Sequence, residues 1–139
     1  MYLLDTNVLS ELRKAKTNKI NKAVEAWAGN VPASNLYLSV ITVLEIELGV
    51  LLKERKDPRQ GNILRVWLND HVIPTFRARI LAVDTSIAVK CAILHVPEPK
   101  SYRDSLIAAT AIVHKLTIVT RNVSDFIQTG VNIINPWDA

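Results

Sequence analysis

The sequence predicts an α/β fold in which helices cover both faces of a mostly parallel sheet. Short apolar runs alternate with helical patterns along the whole chain, and this alternation favours right-handed βαβ units. With 139 residues the chain has the length of one domain, so we predict a single domain over residues 1–139. Hydrophobic residues make up 49% of the sequence, which is enough to build a core.

The first half of the chain contains two of the predicted strands. Tyr2–Leu4 is an apolar run that ends at polar residues, and a helical pattern follows it through Leu12. Residues 18–30 predict a second helix, residues 36–39 a second strand, and residues 42–54 a strongly apolar third helix. A longer helix then carries Leu64, Trp67, Leu68 and Val72 on one face.

The second half continues the same alternation. In order, the patterns predict a strand at 80–83, a helix that ends near Leu94, a helix at 102–114, a strand at 117–120, a helical turn at 122–128 and a strand at 131–134. Sites in open parallel sheets form beyond the carboxyl ends of strands. Asp5 and the segment from Thr120 to Asn122 occupy such positions.

The net charge indicates the kind of partner, and the cysteine content indicates the redox compartment. The formal net charge of +4 and the pI near 9.4 favour a polyanionic partner such as nucleic acid. The single cysteine, Cys91, excludes an intrachain disulfide and is typical of a reducing compartment. No uncharged apolar stretch reaches the ~18 residues of a membrane helix, so we expect no membrane contact and a cytoplasmic location.

Three acidic residues stand at the starts of predicted helices. Asp5 follows the first strand, Glu45 lies in the first turn of the third helix, and Asp104 opens an otherwise apolar helix. Each has a structural explanation when it is taken alone. Asp5 fits an N-cap, and Thr42-x-x-Glu45 and Ser101-x-x-Asp104 both fit the capping box.

Taken together, the three acids favour a metal site. Carboxylates on apolar elements are expected to be nearly buried, and no basic residue follows Glu45 or Asp104 by one helical turn. Two carboxylates 4 Å apart repel each other by about 4 kcal/mol at an effective dielectric of about 20. Oxygen ligands select hard cations, so we expect Mg²⁺ or Mn²⁺, and such an ion suits phosphodiester hydrolysis.

Several short motifs occur in a characteristic order. They are Leu3-Leu-Asp5-Thr6-Asn7, Thr42-Val-Leu-Glu45, Asp104-Ser-Leu-Ile-Ala108, Val119-Thr120-Arg121-Asn122 and the closing Asn135-Pro136-Trp137. With these motifs the sequence resembles the PIN-domain nucleases, and more narrowly the VapC and FitB toxins of bacterial toxin–antitoxin pairs. The resemblance implies a Rossmann-like PIN fold, Mg²⁺- or Mn²⁺-dependent endoribonuclease activity on RNA, a homodimer, and a VapB-like antitoxin that blocks the acidic pocket.

The resemblance also assigns residues. Asp5, Glu45 and Asp104 fall on the family's metal-binding acidic positions. Thr6 and Asn7 match residues that help to shape the site, and Thr120 matches a hydroxyl that commonly orients a carboxylate.

The sequence departs from the family pattern at one position. Many members carry Asp where this chain has Asn122, and Asp125 follows three residues later. Our hypothesis is one metal ion on Asp5 and Asp104, with Glu45 positioning or deprotonating the attacking water. Asn122 and Asp125 remain alternatives for the fourth acidic position of the family's site. A catalytically weak PIN-fold module that binds RNA or protein is the alternative function.

Basic residues form two groups in the sequence. The first is Arg13, Lys14, Lys16, Lys19 and Lys22, and the second is Lys53, Arg55, Lys56 and Arg59. One interpretation is that they are solvated helix ends. The other is that those near the acidic pocket contact the RNA backbone, which makes RNA affinity sensitive to salt.

Overall fold

The computed structural model describes residues 1–138, and within them five strands form one sheet. The strands are β1 (Tyr2–Leu4), β2 (Leu36–Ser39), β3 (Ile80–Leu81), β4 (Thr117–Val119) and β5 (Ile133–Ile134). Their spatial order is β3-β2-β1-β4-β5, and every pairing is parallel. The predicted α/β fold with a parallel sheet is therefore confirmed.

Helices fill the connections between the strands. They are α1 (Thr6–Leu12), α2 (Lys22–Gly29), α3 (Val40–Lys56), α4 (Pro58–Val66), α5 (Ile73–Phe76), α6 (Thr85–Leu94) and α7 (Tyr102–His114). A π-helical turn at Trp67–Val72 joins α4 to α5, so the long helix predicted around Trp67 is continuous but not regular. Among the residues described, no helix has both the length and the apolar character needed to cross a bilayer.

Two helix starts differ from the prediction because another residue provides the cap. The Asn21 side chain accepts hydrogen bonds from the Ala23 and Val24 N–H groups at 3.0 and 3.1 Å, so α2 begins at Lys22. Ser39 accepts from the Ile41 N–H at 3.0 Å, so α3 begins before Thr42.

The predicted capping box Thr42-x-x-Glu45 is wrong. Thr42 is buried inside α3, and its hydroxyl has no hydrogen-bond partner within residues 1–138. Glu45 lies beyond the first turn of the helix, which starts at Val40. Helix capping therefore does not explain the presence of an acid at Glu45.

The hydrophobic core lies on both faces of the sheet, with β1 in its middle. Successive strand residues point to opposite faces, so Leu3 packs with Ile107 of α7 while Leu4 packs with Val8 of α1. Both leucines are fully buried, and each such side chain contributes about 1.5–3 kcal/mol. The carboxyl end of β1, where Asp5 lies, is therefore held by packing on both sides.

Candidate active site

Asp5 is a buried carboxylate that several donors hold in place. Its backbone N–H donates to the Val119 carbonyl at 2.9 Å, and its Oδ1 accepts from the Thr6 N–H at 2.9 Å, which confirms the predicted N-cap. Oδ2 accepts from the Thr120 hydroxyl at 2.8 Å and from the Asn7 amide at 3.2 Å. The residue is only 6% exposed. Burial raises the pKa of Asp5 even though these hydrogen bonds oppose the rise.

Asn7 and Thr120 join the ends of β1 and β4, and with Asp5 they form a unit that we call the β1–β4 clasp. The Asn7 amide donates to the Thr120 Oγ1 at 3.3 Å, and its side-chain oxygen accepts from the Arg121 N–H at 3.1 Å. Thr120 Oγ1 also accepts from the Asn122 N–H at 3.0 Å. The clasp fixes the orientation of the Asp5 carboxylate.

Asp104 lies in the first turn of α7, where Ser101 caps the helix. Ser101 Oγ accepts from the Asp104 N–H at 3.5 Å, but within residues 1–138 the Asp104 carboxylate makes no hydrogen bond, so only half of the predicted capping box forms. Burial, helped by the charges of Asp125, Asp5 and Glu45, raises the pKa of Asp104 to about 6. Asp5, Glu45 and Asp125 therefore lie close enough to Asp104 for their charges to act on its carboxylate.

Glu45 approaches Asp104 from helix α3. Its Oε1 accepts from the Thr6 hydroxyl at 2.8 Å, and its Oε2 lies 3.8 Å from a guanidinium nitrogen of Arg103. The sequence pattern gave no indication of Arg103, because this base comes from α7 and not from the next turn of α3. Glu47 points away from Glu45 and forms a two-bond ion pair with Arg65, both bonds at 2.7 Å.

The segment after β4 carries Asn122 and Asp125, the two residues expected as alternatives for a fourth acidic position. Asp125 is exposed on a short 3₁₀ turn, and its charge raises the pKa of both Asp5 and Asp104. The Asn122 side chain makes no hydrogen bond to any residue in the range 1–138. Of the two alternatives for the fourth position, Asp125 brings the charge.

The donor set fits a hard divalent cation that keeps much of its water. The acidic side chains here offer only oxygen ligands, and a cation would relieve the electrostatic repulsion between Asp5 and Asp104. Within residues 1–138, no three Asp, Glu, His or Cys side chains are arranged to enclose a metal ion. Two carboxylates with water in the remaining coordination positions agree with the usual shell of Mg²⁺.

The comparison with known protein families decides the classification. The family model described as PIN domain matches residues 2–131, which is nearly the whole chain. The chain belongs to the PIN-domain family. The family and the fold class that were predicted from the sequence are therefore confirmed.

Individual relatives of this PIN domain align over nearly their whole length. Toxin FitB of Neisseria gonorrhoeae is 37% identical over 147 residues, and the alignment covers 99% of both chains. VapC ribonuclease Y4jK of Sinorhizobium fredii is 36% identical over 143 residues, again with 99% of both chains covered. The crystal structure of FitAcB from Neisseria gonorrhoeae matches with a TM-score of 0.88 and 35% identity over 100% of both chains.

Proposed function

We propose that this PIN domain is an endoribonuclease that uses Mg²⁺, or Mn²⁺ in its place, and that it is the toxin of a toxin–antitoxin pair. The similarity to a VapC ribonuclease and to toxin FitB supports both the activity and the biological role. The observation that carries the proposal is the pair formed by Asp5 and Asp104, two ionisable groups with raised pKa values beside the carboxyl end of β1.

Asp5 and Asp104 are the residues that would hold the metal ion. The β1–β4 clasp fixes Asp5, so its carboxylate is oriented before an ion arrives. Asp104 makes no hydrogen bond within the described part of the chain, so its oxygens are available to a ligand. The chemistry that a bound Mg²⁺ supplies here is a more acidic water and a positive charge against the scissile phosphate.

Glu45 is the residue that positions the attacking water and accepts its proton. The Thr6 hydroxyl donates to Oε1 at 2.8 Å, and the polar contact of Oε2 within residues 1–138 is with Arg103 at 3.8 Å. Glu45 is a carboxylate with a free acceptor oxygen at the edge of the site, where its side chain is 23% exposed. Such a group is suited to general base catalysis.

Asp125 supports the site as an additional charge or as a hydrogen-bond acceptor for water. Its negative charge acts on both proposed metal ligands, which argues for Asp125 over Asn122 as the acidic member of the fourth position. Asn122 has an amide oxygen that can accept from water but cannot act as a base.

The toxin role implies partners and a location that we propose by analogy with the relatives. These are an RNA substrate, a VapB-like antitoxin that covers the acidic pocket, a second copy of the chain in a homodimer, and a cytoplasmic location. The pI near 9.4 supports an RNA partner.

The test is cleavage of labelled RNA by the purified chain with Mg²⁺ and with chelator. We expect cleavage only with the metal, and we expect Asp5→Asn and Asp104→Asn each to abolish it. Asp70→Asn is a matched control because Asp70 is an exposed acid on the π-helical turn, away from the site. RNA that is bound but never cut would support the binding-module alternative, and cleavage by Asp104→Asn at the wild-type rate would refute the metal assignment.

A further inference from the structure

A cleft of about 480 Å³ opens directly beside the candidate active site. The polar and small lining residues on two neighbouring helices are Thr6, Ser10 and Arg13 from α1 and its C-cap, and Glu45, Gly49 and Lys53 from α3. The apolar side chains of Ile46 and Val50 from α3 also line the cleft. Thr6 and Glu45 are joined by the 2.8 Å hydrogen bond described above, so the cleft begins at the acidic residues.

The α3 side of the cleft is a stripe along one face of the helix. Glu45, Gly49 and Lys53 follow one another at intervals of four residues, about one turn each, so the stripe is about 12 Å long. A Cβ atom added to Gly49 would meet no atom within 4 Å. The missing side chain at Gly49 therefore keeps the middle of the cleft open.

Two positively charged side chains, Arg13 and Lys53, line the end of the cleft that is farther from the acidic residues. The Arg13 guanidinium carbon lies 5.8 Å from the centre of the Trp67 ring, and this cation–π contact holds the side chain at the cleft. In the described part of the chain, no carboxylate forms an ion pair with Arg13 or Lys53, whereas Lys14 and Arg65 both have one. The charges of Arg13 and Lys53 are therefore available to a ligand.

We propose that this cleft binds the stretch of single-stranded RNA that flanks the bond to be cut, with Arg13 and Lys53 contacting its phosphates. The inference rests on the proposed ribonuclease function and adds where the RNA substrate binds next to the active site. A guanidinium matches the geometry of a phosphate, and single strands are commonly held in cationic grooves. Of the nine basic residues in the two groups, the structure selects one from each for this contact.

The first test measures RNA affinity without cleavage. All variants carry Asp104→Asn, and anisotropy of a labelled oligouridine RNA is followed in chelator at several salt concentrations. We expect Arg13→Ala with Lys53→Ala to weaken binding strongly and to lower the slope of log K against log salt by about 1.4, or about 0.7 for each phosphate that is no longer neutralised. A matched control, Lys56→Ala with Arg59→Ala, removes the same charge outside the cleft and is expected to change the slope little.

The second test blocks the cleft without changing its charge. Gly49→Leu places a side chain in the open middle, and Gly29→Leu is the matched control because a Cβ at Gly29 also meets nothing within 4 Å. Leu has a higher helix propensity than Gly, so both variants are expected to fold. We expect Gly49→Leu to weaken oligouridine binding several-fold and Gly29→Leu to leave it unchanged.

The outcomes separate the cleft from the nuclease function. If the charge variant and its control weaken binding equally, or if Gly49→Leu binds RNA as tightly as Gly29→Leu, the cleft proposal is wrong even when the native chain cuts RNA. If the cleft binds a protein segment instead of RNA, the cleft variants and their controls are likewise expected to bind RNA equally well. If the cleft variants bind RNA weakly but the native chain never cuts RNA, the cleft stands and the nuclease function is wrong.

Discussion

Replacing Asp104 by Asn is expected to stabilise the metal-free protein while abolishing cleavage. The rise in the pKa of Asp104 from 3.8 to about 6 corresponds to about 3 kcal/mol at 1.36 kcal/mol for each pH unit. Because the side chain is partly exposed, solvent screening reduces this penalty, and the loss of a favourable charge in the first turn of α7 offsets part of the gain. We therefore expect a net stabilisation of about 1–2 kcal/mol above pH 6.

The pH dependence follows from the direction of the pKa change. Below about pH 4 the Asp104 carboxyl is protonated in both the folded and the unfolded chain, so its ionisation carries no penalty. Between about pH 4 and 6 the unfolded chain loses this proton first, so the wild type loses stability as the pH rises. The advantage of Asp104→Asn should therefore be absent near pH 4 and complete above pH 6.

Urea unfolding in chelator at about pH 4 and about pH 8 measures this difference directly. The matched variant Asp70→Asn makes the same chemical change at an exposed site and is expected to be neutral at both pH values. Saturating Mg²⁺ should stabilise the wild type and leave Asp104→Asn unaffected. A variant that is less stable than the wild type at pH 8, or equally stabilised at pH 4 and pH 8, would refute the reasoning.

Three further substitutions test other parts of the molecule. Glu45→Gln should slow single-turnover RNA cleavage by about 10²–10⁴-fold, because the proposed base is removed, with little change in melting temperature. Thr120→Val should cost about 1–3 kcal/mol in urea unfolding, because the buried Asp5 carboxylate loses a hydroxyl donor. Gly61→Ala should lower the melting temperature, because the new Cβ would lie 2.6 Å from the backbone nitrogen of Glu54.

Each of these has a control within the chain. Glu25→Gln alters an exposed acid on α2 and should leave cleavage unchanged. Thr17→Val removes an exposed hydroxyl and should cost much less than Thr120→Val. Gly49→Ala, whose Cβ meets nothing within 4 Å, should stabilise α3 by up to about 1 kcal/mol. If Gly49→Ala and Gly61→Ala had the same effect, close packing of α3 against α4 would not be the reason that Gly61 is needed.

The sequence predicted those features of the fold that depend on local patterns. The bounds of α7 were predicted as found, because Ser101 caps the helix and its apolar face is continuous. The start of α3 was not, because Ser39 and Thr42 are both hydroxyl residues near the end of β2. Which one caps α3 depends on where the sheet pairing of β2 stops, and this is a tertiary property.

For the site, the sequence located the acids but not all of their neighbours. Asp5 was expected from its place at a strand end, and the resemblance pointed to Thr120. The contact of Arg103 with Glu45 depends on how α7 packs against α3, and the charge of Asp125 depends on the path of an irregular segment after β4. Neither leaves a periodic signal in the sequence.

The hydrogen bond between Asp5 and Thr120 joins residues 115 positions apart, and this separation bears on how the protein is synthesised. A ribosome adds roughly 5–20 residues per second, so Asp5 emerges well before its partner is made. Until β4 is present, β1 lacks its neighbour on one side and Asp5 lacks the hydroxyl that orients it. We therefore expect a nascent chain that has not yet reached Thr120 to be unable to cleave RNA, because the β1–β4 clasp that orients Asp5 forms only after β4 has been made.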